Sequence, residues 1–189
     1  MNNKHHVLIF PAGSEIGLEI YNSLKYNHHV EVFGASGKSD HASFIYKENR
    51  YIEDLLYVDE PDFIDRFNKL LRSNNIEFVY PTHDTIANFL SAHQSELVAK
   101  VITSCSQTNH TARYKKETYQ LFQSFCFCPT IFSSPYDHLT YPVFLKPNDG
   151  QGGNGTQLAE NKKDLDFYLE KNPTLLVSEF LPGDELSVD

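Results

Sequence analysis

The first part of the chain alternates apolar runs with an amphipathic segment, and this pattern constrains the fold more than any other feature. His6–Phe10 is a short apolar run that ends at a glycine-containing turn, and His29–Phe33 is a second run that ends at Gly34. Between them, apolar residues recur at helical spacing: Ile16, Ile20 and Leu24. A strand, a helix and a strand within about 30 residues form a parallel βαβ unit.

The same alternation continues to about residue 105. Asp59–Asp62 carries proline and acidic groups where a helix starts, and Ile76–Tyr80 and Val101–Ile102 are further apolar runs. We therefore predict an open, doubly wound parallel α/β domain. The polar stretch Ser104–Arg113 predicts its boundary, so we expect one domain over residues 1–108 and a second over residues 109–189.

The second half predicts a smaller α+β domain. A helix before Pro129 is followed by a strand, Tyr141–Pro147, which is bracketed by prolines. A glycine-rich segment then leads to a short strand, a helix that Asn161 caps, and the strand Leu175–Phe180.

Lys146 and the glycines that follow it carry the strongest chemical signal. Lys146 ends an apolar strand, and four glycines lie within the next nine residues, at positions 150, 152, 153 and 155. Glycines let backbone N–H groups approach an anion, and a lysine supplies a mobile positive charge. The segment is therefore a candidate phosphate site. The alternative is a hairpin tip whose glycines only make turns.

Four segments in the same order resemble the ATP-grasp superfamily, and the resemblance covers nearly the whole chain. The segments are a Lys-x-x-Thr helix start, a proline-bracketed strand with lysine, a glycine-rich loop, and a strand ending in Glu-aromatic-apolar-x-Gly-x-Glu. In this sequence they are Lys115–Thr118, Tyr141–Pro147, Asp149–Thr156 and Glu179–Glu185. The resemblance implies a Rossmann-like pre-ATP-grasp domain followed by the smaller, incomplete lobe of an ATP-grasp domain.

The resemblance also implies a role for each matching residue in binding ATP. Lys115 and Lys146 would contact the α- and β-phosphates, with Lys116 as the alternative to Lys115. The backbone of the loop Gly150–Thr156 would close over the β- and γ-phosphates. The remaining matches are the loop residues Gly150, Gly152, Gly153, Gly155 and Thr156, the adenine hinge residues Glu179, Phe180 and Leu181, and the ribose ligand Glu185.

The activity that the resemblance implies is that of an ATP-dependent carboxylate–amine ligase working through an acyl phosphate. The branch that contains the carbamoyl-phosphate synthase large chain is the most similar. Its substrates would be a small carboxylate and an amine. The family's Mg²⁺ ligands and catalytic arginine are expected beyond Asp189, so we expect this chain to be inactive alone.

Two other functions stay open at the level of sequence. One is a nucleotide-binding module without turnover. The other is an NAD(P)-dependent oxidoreductase, although the turn Pro11–Gly17 lacks the Gly-x-Gly-x-x-Gly core. A P-loop is excluded because Val32 stands where the first glycine of Gly-x4-Gly-Lys-Ser must be. His83 and Asp84 follow a strand end, where they could face an acceptor substrate, but a helix cap by Asp84 is the favoured interpretation.

Net charge and hydropathy limit the kinds of partner and the cellular location that the sequence predicts. The net charge is −9, and no run of Lys and Arg predicts a nucleic-acid surface. The first apolar run is too short for a signal peptide, and no segment approaches the roughly 18 apolar residues of a membrane span. Three cysteines without disulfide spacing are typical of the cytoplasm, where we expect the protein to act.

Overall fold

A five-stranded parallel sheet organises the first half of the chain. The computed structural model describes residues 4–54 and 56–184, and the chain divides into two compact units between His110 and Thr111. In the first unit the strands lie in the order β3-β2-β1-β4-β5 and all pairs are parallel. The strands are β1 (His5–Phe10), β2 (Val30–Ser36), β3 (Tyr51–Glu53), β4 (Phe78–Pro81) and β5 (Lys100–Val101).

Helices cover both faces of this sheet because successive strand residues point to opposite sides. Leu8 and Phe10 pack in one core with Phe67, whereas Ile9 packs in another with Ile20. Ile20 belongs to α1 and Phe67 to α2, so the two helices lie on opposite faces. The helices are α1 (Glu15–Leu24), α2 (Phe63–Ser73) and α3 (Asp84–Ala92), and α4 (Ser106–Arg113) includes the boundary between the two units. The predicted open, doubly wound sheet is confirmed.

A four-stranded antiparallel sheet, in the order β6-β9-β7-β8, organises the second unit. Val143 and Leu145 of β7 are fully buried and pack with Leu165 of the following helix. Because side chains alternate along β7, Phe144 and Lys146 lie on its other face. The elements are α5 (Lys115–Phe122), β6 (Ile131–Phe132), β7 (Val143–Lys146), β8 (Gln157–Ala159), α6 (Lys162–Lys171) and β9 (Leu176–Glu179). The predicted smaller α+β lobe is confirmed.

The predicted end of the second strand at Gly34 is wrong. Strand β2 continues through Gly34 to Ser36 and pairs there with β3. A Cβ atom at position 34 would lie 2.7 Å from Cζ of Tyr46 and 2.9 Å from Cβ of Ala12. Gly34 therefore allows close packing inside a strand, and it makes no turn.

The polar stretch Ser104–Arg113, which we predict as the domain boundary, contains a helix that the sequence pattern does not indicate. Ser106–Arg113 forms α4, which has no buried residue. A helix without an apolar stripe gives no periodic signal, so the sequence pattern could not reveal it.

None of the helices within the described residues combines the length and the apolar character that a bilayer crossing needs.

We expect Gly34→Ala to lower the free energy of unfolding by roughly 1–3 kcal/mol, because the added methyl group overpacks the buried Tyr46 and Ala12 contacts. Urea denaturation followed by circular dichroism measures the change. Gly37→Ala is the matched control, since its nearest contact would be 3.3 Å from the carbonyl oxygen of Leu56. Equal stability of the Gly34→Ala variant and the parent chain would contradict the packing argument.

Candidate functional site

Lys146 is a buried cation with neutral partners. Its side chain leaves the end of β7, and the residue is 9% exposed. Its Nζ donates to the hydroxyl of Tyr119 at 2.8 Å and lies 4.8 Å from the centre of that ring. Among the described residues it makes no ion pair. Burying a charge without a carboxylate is costly, so this position favours an incoming anion.

Lys115 reaches the glycine-rich loop from the start of α5. Its Nζ donates to the carbonyl oxygen of Gly150 at 2.5 Å. Its backbone N–H donates to the carbonyl oxygen of Asn148 at 2.9 Å. Lys115 and Tyr119 are four residues apart, which places them on one face of α5. Lys146 is hydrogen-bonded to Tyr119, so it contacts the helix face on which Lys115 lies.

Two residues that the sequence analysis missed fix the entrance of the loop. The Arg113 guanidinium donates to the carbonyl oxygen of Asp149, and its Nη2 lies 3.6 Å from the Asp149 carboxylate. The side-chain oxygen of Asn148 accepts from the backbone N–H of Lys116 at 2.9 Å. We call Arg113, Asn148 and Asp149 the loop clamp. No spacing rule indicates such contacts, because they join segments about 35 residues apart.

The tip of the loop is held in conformations that favour glycine. Gly152, Gly153 and Gly155 have φ values of +56°, +71° and +75°. An added Cβ at Gly152 or Gly153 would have nothing within 4 Å, so backbone conformation, and not space, requires glycine there. The hydroxyl of Thr156 closes a turn by donating to the carbonyl oxygen of Gly153 at 2.8 Å. The tip is therefore an exposed backbone surface.

The segment after β9 lies beside Lys146. A cavity of about 490 Å³ is lined by Phe144, Lys146 and the segment from Ser178 to Asp184. Glu179 is fixed from both sides, because its carboxylate accepts from the Thr130 N–H at 2.9 Å and its own N–H donates to the Thr130 carbonyl at 3.0 Å. Phe180 and Leu181 are 39% and 47% exposed. The structure thus brings Lys146 and Glu179–Leu181 to one cavity.

Lys116 and Glu185 are placed differently. Lys116 lines a neighbouring cavity of about 370 Å³, together with Tyr119, Thr130 and Cys128. Burial, followed by the adjacent Cys126 thiol, raises the pKa of Cys128, so this thiol is neutral at pH 7 and a poor nucleophile. Glu185, the expected ribose ligand, lies outside the described residues.

Comparison with known protein families gives a match that covers the second unit. Residues 112–189 match the ATP-grasp domain family. The match covers nearly the whole of the second unit, which is therefore similar to the ATP-grasp domain family. No curated protein sequence matches the chain.

Solved structures extend the likeness of fold to the first unit. The L-amino acid ligase from Bacillus licheniformis is 16% identical, with a TM-score of 0.67, over 97% of this chain and 45% of that one. The biotin carboxylase domain of Hydrogenobacter thermophilus 2-oxoglutarate carboxylase, in complex with MgADP, ADP and bicarbonate, is 16% identical, with a TM-score of 0.67, over 96% and 45%. The N5-carboxyaminoimidazole ribonucleotide synthetase from Thermotoga maritima is 14% identical, with a TM-score of 0.63, over 94% and 46%. The chain therefore spans less than half the length of these enzymes.

The first unit has its own cavity, of about 370 Å³, at the carboxyl edge of the parallel sheet. It is lined by residues that follow β1, β2 and β4, including Pro11, Lys38 and His83. The predicted capping of α3 by Asp84 is wrong. His83 is the cap, because it is the last extended residue and its Nδ1 accepts from the Thr85 N–H at 3.3 Å, whereas Asp84 is already inside the helix. This bond leaves the proton of the neutral imidazole on Nε2.

We expect Arg113→Met to speed amide exchange of residues 149–156 by about tenfold, because the charge-assisted contacts to Asp149 are lost. Hydrogen–deuterium exchange with mass spectrometry measures this directly. Arg66→Met, which removes an ion pair with Asp54 in the first unit, is the control. Arg66→Met should leave exchange in the loop unchanged. Unchanged exchange in Arg113→Met as well would refute the loop clamp.

Proposed function

We propose that this chain supplies the ATP-binding part of an ATP-dependent carboxylate–amine ligase. The observation that carries the proposal is the placement of Lys146. A buried ammonium group with only neutral partners lies beside the cavity that the Glu179–Asp184 segment lines, on the helix face that also carries Lys115. Such a site has a place for the base and two cations for the phosphates.

The adenine would occupy the cavity beside β9. Its volume of about 490 Å³ lies within the range of small-molecule sites, roughly 300–1,000 Å³. Phe144 offers an apolar surface, and the main chain of Glu179–Leu181 offers N–H and C=O groups to the edge of the base. The Glu179 side chain is occupied by Thr130, so its role is to hold this hinge segment in place.

The triphosphate would replace the internal partners of the two lysines. Lys146 would exchange the Tyr119 hydroxyl for a phosphate oxygen. Lys115 would exchange the Gly150 carbonyl oxygen for another phosphate oxygen. Both exchanges are favourable because hydrogen bonds between two charged groups are stronger than bonds to a neutral acceptor. The loop from Gly150 to Thr156 would add backbone N–H groups to the β- and γ-phosphates.

The reaction would proceed in two balanced steps. A carboxylate oxygen attacks the γ-phosphorus, and ADP leaves. The amine nitrogen then attacks the acyl carbon and loses a proton, and inorganic phosphate departs with the carboxylate oxygen. Lys115, Lys146 and the loop neutralise charge on the transferring phosphoryl group and orient it.

Mg²⁺ would accompany the ATP. Within the described residues no group of three or more His, Cys, Asp or Glu side chains could hold a metal ion, so we assign no Mg²⁺ ligand to this part of the chain.

We further propose that residues 1–108 act as the Rossmann-like pre-ATP-grasp domain, whose carboxyl-edge cavity could face an acceptor, and that the protein works in the cytoplasm on small molecules.

We expect Lys146→Met to weaken ATP binding by about tenfold or more, since one charge-assisted hydrogen bond to phosphate is lost. Isothermal titration calorimetry with ATP measures the change, and Lys163→Met, on the exposed side of α6, is the matched control. NAD is titrated in parallel. Equal ATP affinity of the two variants, or binding of NAD and not of ATP, would overturn the assignment.

Tyr119→Phe tests the exchange of partners at Lys146. Removing the hydroxyl frees the ammonium group for phosphate, so we expect ATP to bind about two- to tenfold more tightly, the worth of one neutral hydrogen bond. The same calorimetric titration reports the change. Weaker binding would show that the hydroxyl itself contacts the nucleotide.

A further inference from the structure

The first unit contains a second charged cavity, at the opposite edge of its sheet from His83. It has a volume of about 160 Å³ and lies where β1 and β2 begin. Four basic residues line it: Lys4, Lys25, Lys47 and Arg50. They come from the residue before β1, the end of α1 and the connection between β2 and β3, so only the folded unit brings them together.

This concentration of positive charge is unusual for the chain that contains it. The sequence has 16 Lys and Arg against 25 Asp and Glu, yet a quarter of the basic residues line this one small cavity. Among the side chains that the structure describes, the lining includes no carboxylate. Like charges repel one another, so an anion bound among these four residues would reduce their mutual repulsion.

Hydrogen-bond accounting leaves most of this charge uncompensated. Arg50 pairs with Glu31, which also lies 3.9 Å from the His6 ring, and the Arg50 Nε is buried without a hydrogen-bond partner. Among the described residues, the ammonium group of Lys25 donates to the neutral side-chain oxygen of Asn22, at 2.7 Å, and lies 5.1 Å from the centre of the Tyr26 ring. Within the described part of the chain, Lys4 and Lys47 make no ion pair. Of these four cations, Arg50 is the one that pairs with a carboxylate within the described residues.

The position of Lys25 has a simpler explanation that does not extend to the others. Lys25 follows the last residue of α1, where a positive charge complements the helix dipole. Lys4, Lys47 and Arg50 belong to other segments and do not cap this helix. Their shared feature is the cavity.

We propose that this cavity binds a compact multivalent oxyanion, of the phosphate or diphosphate class. Its volume is about half the lower limit of typical small-molecule sites, which excludes a whole nucleoside but admits one or two phosphoryl groups. Lysines act as mobile point charges that close on such an anion, while Arg50 offers fixed donors. The site is separate from the proposed ATP site and does not depend on it.

Calorimetric titration of the chain with sodium diphosphate, at constant ionic strength set with sodium chloride, tests this proposal. We expect saturable binding that Lys4→Met and Lys47→Met each weaken by about tenfold, the value of one charge-assisted hydrogen bond. Lys69→Met, an exposed residue of α2 outside the cavity, removes the same charge and should leave the affinity unchanged. Equal losses in all three variants, or no saturable binding at millimolar diphosphate, would overturn the proposal.

Two further arms locate the binding and identify its source. If Lys146→Met removes diphosphate binding while Lys4→Met leaves it unchanged, the anion lies at the glycine-rich loop and the proposal is overturned. Tighter binding of diphosphate than of glycerol phosphate assigns a free anion as the ligand. The reverse order assigns the phosphoryl group of an organic molecule, and either order supports the site. Unfolding curves recorded without anion check that each variant is folded.

Discussion

The contact between Lys146 and Tyr119 is the interaction on which the candidate site depends. It joins the end of β7 to the middle of α5, and it holds an ammonium group out of water with a hydroxyl and an aromatic face as its partners. A carboxylate partner would stabilise the lysine more strongly, but it would also repel a phosphate. Neutral partners keep the charge in place and leave it available, which is the compromise that an anion-binding lysine requires.

The strand that carries Lys146 explains why this position is available. Val143 and Leu145 anchor β7 in the core, so Phe144 and Lys146 must point to the other face, towards the cavity beside β9. The prolines at positions 142 and 147 bracket the strand and limit its length. A one-residue shift of register would exchange these two faces and bury the lysine in the apolar core, so the pairing of β7 with β8 and β9 also determines the chemistry.

Local pattern was enough to predict the architecture and several candidate residues, because apolar periodicity and strand-ending lysines are visible in a single sequence. The doubly wound first unit and the smaller α+β second unit were predicted in this way, whereas the antiparallel order of the second sheet was not. Features that depend on distant segments were out of reach. In the sequence, Gly34 indicates a strand end, because its contact with Tyr46 is visible only in the folded structure. The helix α4 has no apolar stripe that would indicate it. Arg113 and the cluster of Lys4, Lys47 and Arg50 are surface-like residues in sequence, and only tertiary contacts give them partners or neighbours. The ligand roles of Lys115, Lys146 and the loop remain predictions.

The loop clamp has a consequence for the energetics of any ligand that the loop covers. With Asn148 and Asp149 fixed at one end and Thr156 bonded at the other, only the few residues between them have freedom to lose when a ligand binds. Ordering costs roughly 1–2 kcal/mol per residue, so restricting the mobile span to this short tip saves affinity that a longer untethered flap would forfeit. A tip tethered in this way would close over a ligand at a small cost in conformational entropy.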